Sequence, residues 1–136
     1  MSQAAPPEIV DIDADAALEA ALNTEATVHS LVEFDKDEFN PLYVSEATRG
    51  LYESDDEMAA HFERIHGYVN IDFMETDLFT VDLFDAAERV RYKVTALDVV
   101  TIVRLYLDDN TGLFIAIERG DAAEPLVAAI EQSLTE

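Results

Sequence analysis

Residues 89–119 constrain the fold more than any other part of the sequence. They contain three runs rich in β-branched and aromatic residues, which are 89–95, 99–107 and 113–119. Side chains of these types fit a pleated, half-buried surface. The last two runs are separated by Asp-Asp-Asn-Thr-Gly, in which Asn110 and Gly112 tolerate the positive φ of a hairpin loop. The stretch therefore predicts a three-stranded antiparallel meander on which the rest of the chain packs.

The N-terminal half contains signals for a helix and for one or two strands. Asp13 can cap an Ala-rich helix that ends at Leu22. Alternation predicts a strand over 27–34. The two sides of that strand are Val28, Val32 and Phe34, and His29, Leu31 and Glu33. Residues 41–45 allow either a second strand or a short helix, because Pro41 disfavours a long helix.

Two further helices are predicted later in the chain. Ser54 and Glu57 form a capping box, and the apolar residues behind them predict a helix over 55–70. The sequence Asp-Ala-Ala-Glu at 121–124 predicts the cap of a C-terminal helix. Between 71 and 87, apolar residues recur without one clean period. That segment either continues the preceding helix past a break or forms a second short helix over the sheet.

The order of these elements predicts an α+β fold. Antiparallel strands with helices that return to one face make a two-layer sandwich, here with a sheet of about five strands, a C-terminal three-stranded meander and about three flanking helices. Residues 1–10 contain two prolines and little periodicity. We therefore expect a disordered N-terminal segment over 1–10, followed by a single domain over 11–136.

The charge of the chain is strongly negative. It has 30 Asp and Glu residues against 8 Lys and Arg residues, a net charge of −22. The carboxylates are dispersed, which indicates a folded acidic surface and disfavours a nucleic-acid mimic or a cation buffer with one block of charge. Such a surface keeps a protein hydrated in molar salt, where the Debye length is about 3 Å. The charge therefore predicts a halophilic protein that loses stability when salt is diluted.

Several function classes are disfavoured by composition. The chain has no cysteine, which excludes thiol catalysis, disulfides and cysteine-ligated zinc. It lacks a stripe of Lys and Arg, so direct nucleic-acid binding is not expected. It also lacks an apolar run of about 18 residues and an N-terminal signal, which predicts a cytoplasmic protein without membrane contact.

The sequence contains no catalytic motif. The serines lack a nucleophile-elbow context, and the 4 glycines form no phosphate-binding loop. Glu57 and His61 are one helical turn apart, so they could hold a metal with a third ligand or form a surface pair. We expect no enzyme activity, no cofactor and no dedicated metal site, and the pair Glu57 and His61 stays open.

The basic residues indicate a candidate surface for a partner. Five of the 8 basic residues lie in or beside the meander, and Arg91 and Lys93 share one strand face by alternation. They could form a cationic patch for a carboxylate or phosphate, or they could pair locally with Asp and Glu. The candidate partner-binding residues are Arg91, Lys93, Arg104, Tyr43, Tyr92 and Tyr106.

Two resemblances follow from these patterns. The order of elements resembles the roadblock and longin type of small dimeric signalling domain, a five-stranded antiparallel sheet flanked by helices. The segment 32–43, with the meander and terminal helix, is similar to a group of small acidic haloarchaeal proteins of uncharacterised function. The residues that carry this second pattern are Phe34, Asp35, Asp37, Phe39, Leu42 and Tyr43. It implies no catalytic residues.

Two functions are compatible with these observations. The first is a non-enzymatic regulatory or adaptor protein that acts through protein–protein interaction as a homodimer, in which a sheet edge or a helix face meets a second copy or a partner. The alternative is a small-molecule sensor, in which the sheet and the 55–70 helix enclose an aromatic pocket. The predicted lining of that pocket is Phe62, Phe73, Phe79 and Tyr92.

Overall fold

The computed structural model describes residues 4–135. The helices are α1 (Ala14–Leu22), α2 (Glu46–Arg49), α3 (Asp55–His66), α4 (Val69–Asp77) and α5 (Ala123–Leu134), and a π-helical segment, Leu78–Leu83, continues α4. The strands are β1 (Val28–Asp35), β2 (Phe39–Val44), β3 (Tyr92–Ala96), β4 (Val100–Tyr106) and β5 (Thr111–Glu118). No helix among the described residues is long and apolar enough to cross a bilayer.

The five strands form one antiparallel sheet in the order β2-β1-β5-β4-β3. The predicted α+β fold and the C-terminal meander are confirmed. Strand β1 lies between β2 and β5, so the N-terminal hairpin and the meander belong to the same sheet. Residues 41–45, for which a strand and a short helix were both open, contribute to β2, and α2 follows directly.

Helices lie on both faces of the sheet, whereas the sequence predicted helices on one face. On the first face, α1 and α5 cover the main core. Its sheet residues include Leu31, Val103 and Ile115, all with no exposed surface. On the second face, Phe62 of α3 and Phe73 of α4 belong to two smaller clusters. The sheet is therefore the middle of three layers, and the second face is less completely covered.

A register shift in β1 changes the predicted sides of that strand. The pairing of β1 with β5 is irregular between Val28 and Ser30. Val28 consequently packs in the main core with Leu31, although simple alternation placed it with Val32 and Phe34. Val32 and Phe34 belong to the clusters on the second face, as the pattern predicted. A bulge inserts one extra residue into a strand, so the residues before it lie on the opposite face from the one that simple alternation predicts.

The helices differ from their predicted limits at two points. Helix α3 begins after the Ser54 cap, whose Oγ accepts a hydrogen bond from Glu57 N–H, but it ends at His66 because Gly67 forms its C-cap. Residues 71–83, left open from the sequence, continue as α4 and the π-helical segment. At α5 the predicted cap is wrong, since Asp121 instead accepts a hydrogen bond from Thr27 N–H (2.8 Å) and ties the helix start to β1.

The turn between β4 and β5 is built by a side chain. Asp108 Oδ1 accepts hydrogen bonds from Asn110 N–H (2.7 Å) and Thr111 N–H (2.9 Å). Within residues 4–135, only Gly120 has a positive φ, of 83°, so the predicted positive φ at Asn110 and Gly112 is wrong. Gly112 is needed for another reason. A Cβ at this position would lie 2.7 Å from Phe34 Cζ and 2.8 Å from Leu105 O.

Residues 4–10 are held against the sheet by a buried carboxylate. Glu33 has no exposed surface, and its two oxygens accept hydrogen bonds from three consecutive backbone N–H groups, those of Glu8, Ile9 and Val10, at 2.7–2.8 Å. Asn40 Nδ2 donates a fourth bond at 2.7 Å. Residues 8–10 therefore contact the sheet within the segment 1–10 that the sequence predicted to be disordered, and residues 1–3 lie outside the described part of the chain.

Replacing Gly112 by alanine is expected to destabilise the fold by about 1–3 kcal/mol, because the new methyl group overlaps the Phe34 ring and a strand carbonyl. The free energy of unfolding in denaturant, measured in molar KCl, checks this. The matched control is Gly50→Ala, whose Cβ meets nothing closer than 3.5 Å and which should change stability by no more than about 0.5 kcal/mol. Equal stability of the two variants would contradict the account.

Glu33→Gln is expected to cost about 1–3 kcal/mol, because either orientation of the amide turns an NH₂ group toward two hydrogen-bond donors. Residues 8–10 should also lose amide protection against hydrogen exchange. Glu38→Gln, at an exposed position in the turn after β1, is the control. If the Glu33 variant kept both full stability and protection, the buried anchor would be refuted.

Candidate interaction surface and cavity

An apolar surface is exposed on the helical segment that follows α3. We name it the 71–84 surface, and its members are Ile71, Met74, Leu78, Val81, Leu83 and Phe84. Met74 is 70% and Val81 is 71% exposed, although both types of side chain are usually buried. The sequence signal was the run of apolar residues without one clean helical period. Several exposed apolar side chains close together along one segment mark an interaction site in many soluble proteins.

The adjoining edge of the sheet is open. Within residues 4–135, strand β3 pairs with β4 alone. Leu97 N–H donates to Val100 O, and Tyr106 N–H donates to Arg91 O. In an antiparallel ladder the bonded residues alternate, so Lys93 and Thr95 are bonded to β4. The intervening residues of β3 direct their N–H and C=O groups away from the sheet, and they are Tyr92, Val94 and Ala96.

The opposite edge of the sheet is partly covered. Ala5 N–H donates a 2.8 Å hydrogen bond to Leu42 O of β2. Glu33 fixes the segment that follows Ala5. Strand β2 also contains Pro41, which lacks a donor and suits an edge position. Among the described residues, β3 is therefore the edge better suited to pairing with another chain.

The predicted cationic patch is not formed on one face. Arg91 lies just before β3, and its guanidinium forms an ion pair with Glu131 of α5 at 2.5 Å, on the side of the main core. Glu131 raises the pKa of Arg91 through this hydrogen bond and its charge. Lys93 instead pairs with Glu75 of α4 at 3.0 Å, on the second face. Local pairing, the other interpretation of these residues, is what the structure shows.

Asp72 of α4 relieves a repulsion between neighbouring strands. Lys93 and Arg104 lie directly opposite each other on β3 and β4, where two like charges destabilise a sheet. Asp72 Oδ1 accepts a hydrogen bond from Arg104, and the Asp72 carbonyl accepts one from Lys93 Nζ at 3.0 Å. Arg104 also donates to Thr95 Oγ1 at 2.8 Å. Sequence reasoning missed Asp72, because nothing local links it to the strands.

The candidate tyrosines occupy three different environments. Tyr43 on β2 is half-buried beside the main core. Tyr92 is half-buried at the start of β3, with the Arg91 guanidinium carbon 5.6 Å from its ring centroid. Tyr106 is only 3% exposed and packs on Phe73 with ring centroids 5.7 Å apart. Of the three, Tyr92 lies on the open edge, whereas Tyr106 is part of the core.

A cavity of about 370 Å³ lies between the second face of the sheet and helices α3 and α4. Its apolar lining includes Phe34, Phe39, Phe62, Val69, Ile102 and Phe114. The predicted pocket is thus in the expected place, and Phe62 lines it. The other three predicted residues do not: Phe73 packs between Phe34 and Tyr106, while Phe79 and Tyr92 line a smaller cleft beside the π-helical segment.

Few polar side chains line this cavity. Arg104 and Asp72 line it as an ion pair. His66 Nε2 lies 2.8 Å from Asp35 O, and His61 Nδ1 lies 2.6 Å from Tyr52 Oη. Glu57 forms no such bond to His61. Across the described part of the chain, no three His, Asp or Glu side chains come together to hold a metal ion.

Comparison with solved structures finds a similar fold. The crystal structure of a Roadblock/LC7 domain from Streptomyces avermitilis matches with a TM-score of 0.58, over 87% of this chain and 88% of that domain, at 13% sequence identity. The roadblock-type architecture expected from the element order is therefore confirmed as a fold. No protein-family model and no curated protein matches the chain.

Tyr106→Phe is expected to raise the free energy of unfolding by about 1 kcal/mol, because the buried Tyr106 hydroxyl has no hydrogen-bond partner among residues 4–135. Burial raises the pKa of Tyr106 above its ordinary value. Since the folded-state pKa exceeds the unfolded one, ionisation of this tyrosine leaves the parent's free energy of unfolding unchanged below about pH 10 and lowers it as the pH rises further, a dependence that the Tyr106→Phe variant lacks. Denaturant unfolding of both proteins across alkaline pH measures the two effects.

The control is Tyr68→Phe, since Tyr68 is 67% exposed. It should leave both the stability and its alkaline pH dependence unchanged. A Tyr106→Phe variant that is less stable than the parent would show that the hydroxyl has a partner in solution.

Proposed function

We propose that this protein is a non-enzymatic interaction module that self-associates through the open edge of β3 and the adjoining 71–84 surface. In this role it acts as a small regulatory or adaptor domain. The observation that carries the proposal is the adjacency of an unpaired strand edge and an exposed apolar helical face. The ion pair between Lys93 and Glu75 joins β3 directly to α4, so the two features form one surface.

A second copy of the chain suits this surface. Two β3 edges can pair antiparallel around a two-fold axis, so that each chain offers the other the same groups. The basic residues near the edge, Arg91 and Lys93, are already paired with carboxylates of their own chain. Net repulsion between two copies of charge −22 would be screened in molar salt, which agrees with the halophilic interpretation.

Val94→Pro is expected to abolish the dimer and preserve the fold. Val94 N–H points to the open edge, so proline there removes a donor for the second copy and none for β4. Light scattering after size-exclusion chromatography in molar KCl measures the mass, and circular dichroism checks the fold. Val94→Ala, which keeps the N–H, is the matched control and should remain dimeric.

The helical part of the surface is tested separately. Met74→Lys should weaken the dimer, because a charged side chain would replace an apolar contact. Leu51→Lys changes a leucine that is 80% exposed in the connection between α2 and α3, and it should have no effect. A parent protein that is monomeric at all concentrations, or a Val94→Pro variant that remains dimeric, would refute the proposed interface.

The cavity favours small-molecule sensing as a second candidate function. Its volume of about 370 Å³ falls in the range of about 300–1,000 Å³ that is usual for small-molecule sites. Tyr68 and Val69 at the start of α4 line it. A ligand there would contact the same helix that carries the 71–84 surface.

A further inference from the structure

We propose that the cavity between the sheet and helices α3 and α4 binds an uncharged, mainly apolar molecule that donates one hydrogen bond, from a hydroxyl or N–H group, to His66 Nδ1. This inference rests on the sensing candidate and adds the chemical class of the ligand.

The wall of the cavity favours an apolar molecule with a flat or aromatic part. Four phenylalanines line it, and they come from three strands and one helix: Phe34, Phe39, Phe62 and Phe114. Aromatic walls favour aromatic partners, through edge-to-face or offset packing in addition to the burial of apolar area. The cavity volume of about 370 Å³ is enough for a molecule of two fused or linked rings.

The charges on the wall favour an uncharged ligand. Arg104 and Asp72 are the lining residues with permanent charge near neutral pH, and they neutralise each other. The two charges on the wall cancel, so neither a carboxylate nor an ammonium ligand would be neutralised there. Arg104 Nε is buried without a hydrogen-bond partner among residues 4–135 and can still donate to a neutral acceptor, such as a hydroxyl oxygen. Burying a charge without a partner is strongly unfavourable, because the group loses its hydration and gains no compensating interaction.

His66 determines whether the ligand donates or accepts the hydrogen bond. Its Nε2 lies 2.8 Å from the backbone carbonyl of Asp35, and a carbonyl oxygen can only accept. Neutral His66 must therefore carry its proton on Nε2, which leaves Nδ1 as an acceptor. Nδ1 has no hydrogen-bond partner among residues 4–135, and His66 lines the cavity. The group that matches it is a donor on the ligand.

Four biphenyl probes of similar size test the ligand class: 4-phenylphenol, 4-methylbiphenyl, biphenyl-4-carboxylate and biphenyl-4-methylammonium. They are titrated into the 136-residue protein in molar KCl at one fixed, mildly alkaline pH. Amide chemical shifts report binding. We expect saturable shifts at the lining residues with 4-phenylphenol, and affinity at least about tenfold lower for both charged probes.

Substitutions locate the site and the hydrogen bond. Ile102→Trp fills the cavity and should abolish binding, and Leu97→Trp at its rim is the second choice if the first variant does not fold. Leu51→Trp, at an 80% exposed position that does not line the cavity, is the control and should bind as the parent does. His66→Phe removes the acceptor and should weaken 4-phenylphenol about three- to tenfold, with 4-methylbiphenyl unchanged.

The outcomes distinguish failure of the sensing candidate from failure of the ligand class alone. Absence of saturable binding by all four probes would refute the sensing candidate itself. Tighter binding of a charged probe, or equal binding of 4-methylbiphenyl and 4-phenylphenol, would keep the cavity as a binding site and refute the ligand class. If the lining residues shift with protein concentration alone, a second copy occupies the cavity and the inference is wrong. Light scattering measures the oligomeric state independently, so it distinguishes each of these results from failure of the β3 interface.

Discussion

Strand β1 pairs with β2 on one side and with β5 on the other, and its side chains are buried on both faces of the sheet. The β1–β5 pair joins residues that are more than 75 positions apart, for example Phe34 and Gly112. Closing such a long loop costs conformational entropy, and this cost is offset only if the paired strands bury a large apolar area. Both helical layers depend on it, because Leu31 of β1 belongs to the main core and Val32 to a cluster on the second face. The fit of Phe34 over Gly112 fixes the register at this point.

The two faces of the sheet are used differently. The face under α1 and α5 is a closed core whose central residues have no exposed surface. On the other face, α3 and α4 cover the sheet incompletely. This leaves the cavity between these helices and the sheet, and it leaves the 71–84 surface exposed to solvent. The features proposed to carry function, including the edge of β3, therefore lie on or beside the less complete layer. Asp72 connects this layer to the sheet, since it contacts both Lys93 and Arg104.

Sequence patterns predicted the strands of the meander, helix α1 and the start of α3, because periodicity and caps act over a few residues. Contacts between distant residues were not predictable in the same way. Nothing near Glu33 in the sequence indicates that it anchors residues 8–10, since an acidic residue in an acidic chain is expected at the surface. The bulge at Val28 reversed one predicted side. Arg91 and Lys93 share a face by alternation, but long side chains at the end of an edge strand reach carboxylates on opposite sides.

Amide hydrogen exchange tests most directly whether the open edge of β3 pairs with a second copy of the chain. Lys93 and Thr95 are internal references, because their N–H groups are bonded to β4 at any protein concentration. The N–H groups of Val94 and Ala96 have no acceptor among residues 4–135, so they should exchange rapidly in dilute protein and become protected as the concentration rises through the dimerisation range. Rapid exchange at Val94 and Ala96 at every concentration in molar KCl, with Lys93 and Thr95 protected, would contradict the account.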